Sequence, residues 1–130
     1  MDSIALGREL SRRAGEAGRS LAALVEVNTT GEAAKHGVAP QAAAVLVQEL
    51  TRLPHLTVRG LMTMGPLGAE EKPTRAAFRS LRELLEAVRR EVPDASLEEL
   101  SMGMSGDFEW AVEEGATWVR VGTALFGLRP

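Results

Sequence analysis

Apolar residues fall along this chain in two alternating rhythms. From Asp2 to Ala17, the residues Ile4, Leu6, Leu10, Ala14 and Ala17 recur at roughly helical spacing. Gly18 supplies a natural stop, so the stretch reads as a helix. Leu21 to Val27 is a short, nearly continuous apolar run with no helical period. It reads as a buried parallel strand ending at Asn28. Thr29 to Ala39 is polar, with Gly31 and Gly37, and reads as a loop. A helix follows from Pro40, which suits a first turn, to about Arg52, with Pro54 just beyond. Leu56 to Met64 is the second strand, and Gly65-Pro66-Leu67-Gly68 is a loop. Between about Pro73 and Val92, Phe78, Leu81, Leu85, Val88 and Val92 form the stripe of a long amphipathic helix that Pro93-Asp94 ends. Leu97 to Met102 is the third strand and Gly103 to Gly106 a tight turn. Asp107 to Glu114 is a helix with Gly115 as its C-terminal cap. Trp118 to Val121 is the fourth strand, and Gly122-Thr123 leads into a short tail.

Strands alternating with helices imply parallel strands joined by crossovers, so the fold class is α/β. A closed (β/α)8 barrel takes eight strands and ~250 residues. Four strands make either a small open sheet or a piece of a barrel. No linker or internal repeat divides residues 1–130, which are expected to form one domain. An isolated four-strand arc is expected to expose two sheet edges and an apolar inner face, and therefore to self-associate or dissolve poorly.

Composition narrows the chemistry. The 130 residues are 45% hydrophobic and 25% charged, enough to bury a core without covalent staples. A net charge of -3 argues against a nucleic-acid surface. Cysteine is absent, which excludes disulfides, zinc–thiolate sites and cysteine nucleophiles. No apolar run approaches the ~20 residues that span a bilayer. The opening Met1-Asp2-Ser3-Ile4 lacks the pattern of a signal peptide. A cytoplasmic protein with no membrane partner is expected. Tyrosine is absent, and only two of the fifteen basic residues are lysines, Lys35 and Lys72. His36 and His55 have no partner at metal-ligand spacing, so no metal site is expected.

Sites in parallel sheets form at the carboxyl ends of the strands. Four loops meet there: Asn28 onward, Met64-Gly65-Pro66, Met102 to Asp107, and Arg120 to Thr123. In the third loop, backbone N–H groups and the Ser105 hydroxyl are suited to an anion; alternatively Ser105 caps the helix beginning near Asp107. In the fourth, Gly122 allows a ligand close to the backbone, with Thr123 beside it. Two adjacent loops of this kind are expected to form a two-sided phosphate cup. Arg120, if it points inward, needs an acceptor, either a ligand or a structural salt bridge. Trp110 and Trp118 read as core or edge packing, and Met102 and Met104 as packing within the sheet layer.

The segment Leu100-Ser101-Met102-Gly103-Met104-Ser105-Gly106-Asp107-Phe108-Glu109 is distinctive. Gly115, Val119-Arg120-Val121-Gly122-Thr123-Ala124 and Phe126-Gly127 follow it. Together they resemble the C-terminal signature of the YggS/PROSC-type pyridoxal phosphate homeostasis proteins. Val27-Asn28 with Glu32, Lys35 and Gly37 matches too, as do Val58-Arg59-Gly60-Leu61-Met62 and the helix containing Phe78. The resemblance covers essentially the whole chain. It implies a fold-type III, alanine-racemase-like (β/α)8 barrel that binds pyridoxal 5′-phosphate (PLP), of which this chain is the C-terminal half. It also implies a role in PLP homeostasis without turnover. By resemblance, Ser105, the Met104 backbone, Gly122 and Thr123 hold the phosphate, Arg120 faces the pyridine nitrogen, and Asn28 and Met62 line the cavity near the ring.

The chain departs from the family pattern in one respect. The Schiff-base lysine of the family lies on an early strand, and nothing here matches it, so no catalytic residue is carried over. Lys35, in the loop after the first strand, is the possible surrogate. Lys72 sits among Glu70 and Glu71, whose carboxylates favour its charged form. Two other readings stand beside the binding module. One is a half-barrel that cannot hold PLP alone and acts only by pairing with a missing N-terminal half, or with itself. The other is an alanine-racemase-like enzyme, for which the chain lacks both a tyrosine and a matched lysine.

Overall fold

The computed structural model describes residues 1–32, 36–68 and 70–127. Four parallel strands lie side by side in chain order, β1 (Leu21–Glu26), β2 (Leu56–Met62), β3 (Glu99–Met104) and β4 (Trp118–Arg120). The helices α1 (Ile4–Glu16), α2 (Ala43–Thr51), α3 (Glu71–Glu91), α4 (Phe108–Glu113) and the short α5 (Thr123–Phe126) complete the alternation. A 3-10 turn, Pro40–Ala42, precedes α2, and its proline sits where a backbone donor is not needed. Among the described residues no helix is long and apolar enough to cross a membrane.

The core lies between the sheet and α2 and α3. Val25, Val27, Leu56, Val58, Leu61, Leu100 and Met102 meet Val47, Leu50, Phe78, Leu81, Leu85 and Val88 there. The expected stripe of α3 is the buried one, and each large side chain in it is worth about 1.5–3 kcal/mol of burial. Glu71 in its first turn and Arg89 and Arg90 in its last complement the helix dipole. Helix α3 begins two residues before the expected Pro73, because proline is tolerated in a first turn whose N–H groups have no intrahelical acceptor. Strand β3 lies two residues later than expected. Leu97 is buried ahead of it, and pairing with β2 begins only at Glu99.

Helix α1 turns only part of its apolar pattern inward, Ala14 and Ile4 among it. Its buried residues are Gly7, Ser11 and Ala14, while Leu6 is exposed. The small face wins because it lets α1 come close. A Cβ on Gly7 would fall 2.1 Å from Leu50, and one on Gly15 would fall 2.6 Å from the His55 ring. Ser11 Oγ accepts the His55 N–H at 3.3 Å, which satisfies a hydroxyl on that face.

The two sheet edges are not equivalent, contrary to the expectation of two bare ones. The outer edge of β1 is paired by its own chain. The Met1 ammonium donates to Leu24 O at 3.1 Å, and Glu26 N–H donates to Met1 O at 2.8 Å. Val38 N–H donates to Glu26 O, and Asn28 N–H donates to Val38 O, each at 2.9 Å. On the β4 side, by contrast, Trp118, Val119, Val121, Leu125 and Phe126 are all exposed, Phe126 at 83%. Nor is the face away from the helices uniformly apolar. The ion pair Arg59–Glu99 (3.2 Å) and the Ser101–Arg120 contact belong to the strand positions that alternate with the core ones.

Two local features tie the sheet and helices together. A bulge in β2 shifts the register, so that Ala23 pairs with Val58 and Leu24 with Gly60. Gly60 then lies against β3, where a Cβ would sit 1.8 Å from the Glu99 carbonyl oxygen. At the end of α4, the buried Glu114 carboxylate gathers arginines from α3. Arg79 Nη2 donates to Oε1 at 3.0 Å, and Arg82 Nη1 donates to the Glu114 backbone oxygen at 2.8 Å. Arg75 lies 3.5 Å from the same carboxylate and also bonds Glu71 and Glu113. The Arg79 hydrogen bond holds the Glu114 carboxyl below its ordinary value of 4.5.

Gly60→Ala is expected to destabilise the fold by about 3 kcal/mol or more, because the clash is with backbone and not with a movable side chain. Thermal unfolding reads this directly. Glu114→Gln is expected to cost about 1–3 kcal/mol at neutral pH through lost charge-assisted hydrogen bonds. Because the folded-state pKa is lowered, that wild-type advantage is complete above pH 4.5 and shrinks as pH falls below it. Urea unfolding of both proteins across pH 3–7 (roughly the carboxyl titration range) checks the sign.

Candidate functional site

The site end of the sheet is built around a guanidinium. Arg120, half-buried on β4, donates from Nη1 to Ser101 Oγ on β3 at 2.6 Å and from Nη2 to Thr63 O beyond β2 at 3.0 Å. Among the described residues no carboxylate forms a salt bridge with it. Of the two readings the sequence allows, the salt bridge is therefore not realised, and the positive charge is left to neutral acceptors. Thr63 extends the chain of contacts. Its hydroxyl donates to Val27 O at 2.8 Å and accepts from the Thr29 hydroxyl at 2.9 Å. Polar contacts thus run across the carboxyl ends of all four strands. Ser101 and Thr63 are the site residues that sequence reasoning missed, because each reads locally as an ordinary strand residue.

Beside Arg120, the loops after β3 and β4 meet. Ser105 Oγ accepts from Gly122 N–H at 3.1 Å and from Ala124 N–H at 3.2 Å. It makes no cap to α4, whose N-cap residue is Asp107. The capping reading of Ser105 fails, because its hydroxyl crosses to the neighbouring loop instead. The N–H groups of Ser105, Gly106 and Thr123 have no acceptor among the described residues. A Cβ on Gly106 or Gly122 would meet nothing within 4 Å, so both glycines border open space. Met104 differs from its expected role. Its N–H already donates to Asp107 Oδ1 at 2.6 Å, and its side chain is exposed, whereas Met102 is buried in the core.

The remaining expected residues lie on the other half of the face. Asn28 serves its own loop. Its Oδ1 accepts from Thr30 N–H and Gly31 N–H at 3.2 and 3.1 Å, and its Nδ2 donates to Glu32 O at 2.8 Å. With its amide committed, Asn28 shapes the rim of a cavity of about 240 Å³ shared with Glu26, His36, Thr63, Met64 and Leu67. Met62 ends β2 half-buried, paired with Glu26. Lys35 lies outside the described residues. Lys72 is in the first turn of α3, where it shares an outer groove with Glu70, Arg75 and Arg79 rather than the site end of the sheet. Trp118 is exposed on the β4 edge, in keeping with edge placement.

Comparison with known proteins bears on this arrangement. The family model described as alanine racemase, N-terminal domain, matches residues 1–130. The chain is 43% identical over 129 residues to the pyridoxal phosphate homeostasis protein of Pseudomonas aeruginosa, covering 99% of this chain and 54% of that protein. It is 44% identical over 129 residues to the protein of the same name from Aquifex aeolicus, covering 99% and 56%. The chain therefore spans just over half the length of these relatives. Among solved structures it is similar to PipY of Synechococcus elongatus. The form without PLP matches at TM-score 0.91 and 42% identity, covering 98% of this chain and 59% of that one. The form with PLP bound matches at 0.89 and 41%, covering 98% and 58%. An alanine racemase of Clostridium difficile shares the fold at TM-score 0.77 and 15% identity, covering 100% of this chain and 34% of that one.

Arg120→Ala is expected to destabilise the chain by about 1–3 kcal/mol through loss of two cross-strand hydrogen bonds. Arg120→Lys should recover only part of this, because an ammonium lacks the planar fork that reaches two strands at once. Urea midpoints of the three proteins test the order.

Proposed function

The chain belongs to the alanine racemase N-terminal domain family, and on that basis we propose that it binds pyridoxal 5′-phosphate without turnover, as the phosphate-holding half of a (β/α)8 barrel serving PLP homeostasis. The observation that carries this reading is the Ser105 hydroxyl bonded to Gly122 and Ala124 N–H across two adjacent loops. The donor set suits a phosphate monoester. It offers one hydroxyl and backbone N–H groups beside two glycines that leave space, and the nearby Asp107 Oδ1 is already engaged by Met104. In this reading Ser105, Gly122 and Thr123 hold the phosphate, and Arg120 faces the ring nitrogen. Asn28 and Met62 border the ring's side of the face.

Bound PLP supplies an aldehyde that reacts with amines. The chain's own contribution is to bind and orient it. An arginine opposite the ring nitrogen keeps that nitrogen unprotonated and weakens the ring as an electron sink. Two-base racemisation needs a base on each face of the ring, and the chain has no tyrosine. Barrel phosphate sites commonly lie after strands seven and eight, which supports reading β3 and β4 as those strands and this chain as the C-terminal half. The exposed β4 side favours a second reading, in which the cup closes only when the other half-barrel, or a second copy, covers Trp118, Leu125 and Phe126.

The test compares ligands and variants by equilibrium dialysis and absorbance. PLP is expected to bind in preference to pyridoxal, with inorganic phosphate competing. Ser105→Ala should weaken PLP about 10- to 100-fold, the worth of a hydrogen bond to a charged group. Equal binding of PLP and pyridoxal would reject the cup. Borohydride reduction followed by peptide mapping assigns the amine. A single adduct on Lys35 marks it as the surrogate, and no adduct leaves a phosphate cradle. Equal labelling of Lys35, Lys72 and the amino terminus would mean that no amine is directed by the site.

A further inference from the structure

We infer that Asp107 is the residue that positions the anion cup, an inference that rests on the reading of that cup as a phosphate site. Asp107 stands at the N-cap of α4, yet its side chain makes no cap hydrogen bond. An aspartate at this position ordinarily turns its carboxylate forward onto the N–H groups of the first turn. This one turns backward. Oδ1 accepts the Met104 N–H at 2.6 Å, while the Asp107 N–H donates to Met104 O at 3.1 Å. Residues 104 and 107 are thereby locked to each other by two reciprocal bonds, one of them charge-assisted. Ser105 and Gly106 form the tip between them.

The other carboxylate oxygen points toward the loop after β2. A Cβ on Gly65 would lie 3.1 Å from Asp107 Oδ2 and 3.4 Å from the Phe78 ring. The carboxylate therefore sits between the turn after β3, which it bonds, and the loop after β2, with the buried Phe78 of α3 beside that loop. Locking both ends of the turn, in this proposal, keeps the Ser105 hydroxyl in the place it occupies. That place is 3.1 and 3.2 Å from the Gly122 and Ala124 nitrogens on the next loop. Asp107 does not touch the ligand in this arrangement; it sets the hydroxyl that does. The feature needed is an acceptor aimed at Met104, not a charge. A carboxylate near a phosphate adds repulsion, so an amide of the same shape should serve the site as well or better.

The experiment uses the whole chain as wild type, Asp107→Asn, Asp107→Ala and Ser105→Ala. The first readout is amide hydrogen exchange without ligand. Exchange at Gly122 and Ala124 should rise about five- to tenfold in Asp107→Ala and Ser105→Ala, the worth of one hydrogen bond, and stay at the wild-type rate in Asp107→Asn. Amides of Leu81 and Leu85 in α3 report whether the core stays folded. If Asp107→Ala unfolds it, Asp107→Glu replaces that variant, since the added methylene carries the acceptor off Met104. The second readout is affinity for inorganic phosphate and for PLP, expected to fall about tenfold in Asp107→Ala and to hold or tighten in Asp107→Asn, since only the former loses the hydrogen bond. Unchanged exchange at Gly122 and Ala124 in Asp107→Ala or Asp107→Glu overturns the proposal. So does Asp107→Asn opening those amides as far as Asp107→Ala. If exchange follows the expected order but wild type binds neither phosphate nor PLP, the cup reading fails and the positioning role stands.

Discussion

The arrangement at the site end depends on where one positive charge finds acceptors. A half-buried guanidinium without a carboxylate must be met by neutral oxygens, or its burial costs several kcal/mol. Arg120 meets them on two other strands, at Ser101 Oγ and Thr63 O. Thr63 in turn bonds Val27 O and Thr29. Four strand ends are thereby held at fixed spacing by side-chain contacts, where the backbone ladder itself is short. Strand β4 has only three residues, and its register to β3 is interrupted between Ser101 and Met104. Arg120 and Ser105 thus add side-chain ties beyond the short β3–β4 pairing and the Thr117–Leu100 bonds.

That geometry explains why the meeting of the last two loops and the open sheet edge are found together. The loops after β3 and β4 approach closely enough for one hydroxyl to serve two N–H groups of the next loop. The same strand leaves Trp118, Leu125 and Phe126 facing solvent. The β1 edge, in contrast, is paired by Met1 and Val38. In a barrel twice this size, the natural occupant of the β4 side is the sheet's continuation.

Much of the fold was legible because it rests on local periodicity. The α3 stripe, the alternation of strands with helices, and the glycine-bounded turn after β3 follow from residues close in sequence. Helix α1 is found where the apolar spacing placed it, but that spacing did not show that Gly7 and Ser11 share the packing face with Ala14. Small residues carry little hydrophobic signal, and their value lies in how near they let another helix come. At the site end of the sheet, turn chemistry and the family signature singled out Ser105, Arg120, Gly122 and Thr123 as candidates, and the fold brings Ser105 onto Gly122. Ser101 and Thr63 were not singled out, since each acts on a group reached only by folding, and the bond from Met104 N–H to the Asp107 carboxylate was not foreseen either.

Sequence alone therefore determined the α/β alternation, the loops that converge, and the chemical types they carry: hydroxyl, glycine, arginine, and no cysteine or tyrosine. Tertiary structure decided which donor meets which acceptor. Ser105 reaches Gly122 across 17 positions, and Arg120 reaches Thr63 across 57. The reason is physical: periodicity and turn preference act within a few residues, whereas a hydrogen bond needs two groups within about 3 Å, which strand pairing and helix packing alone arrange.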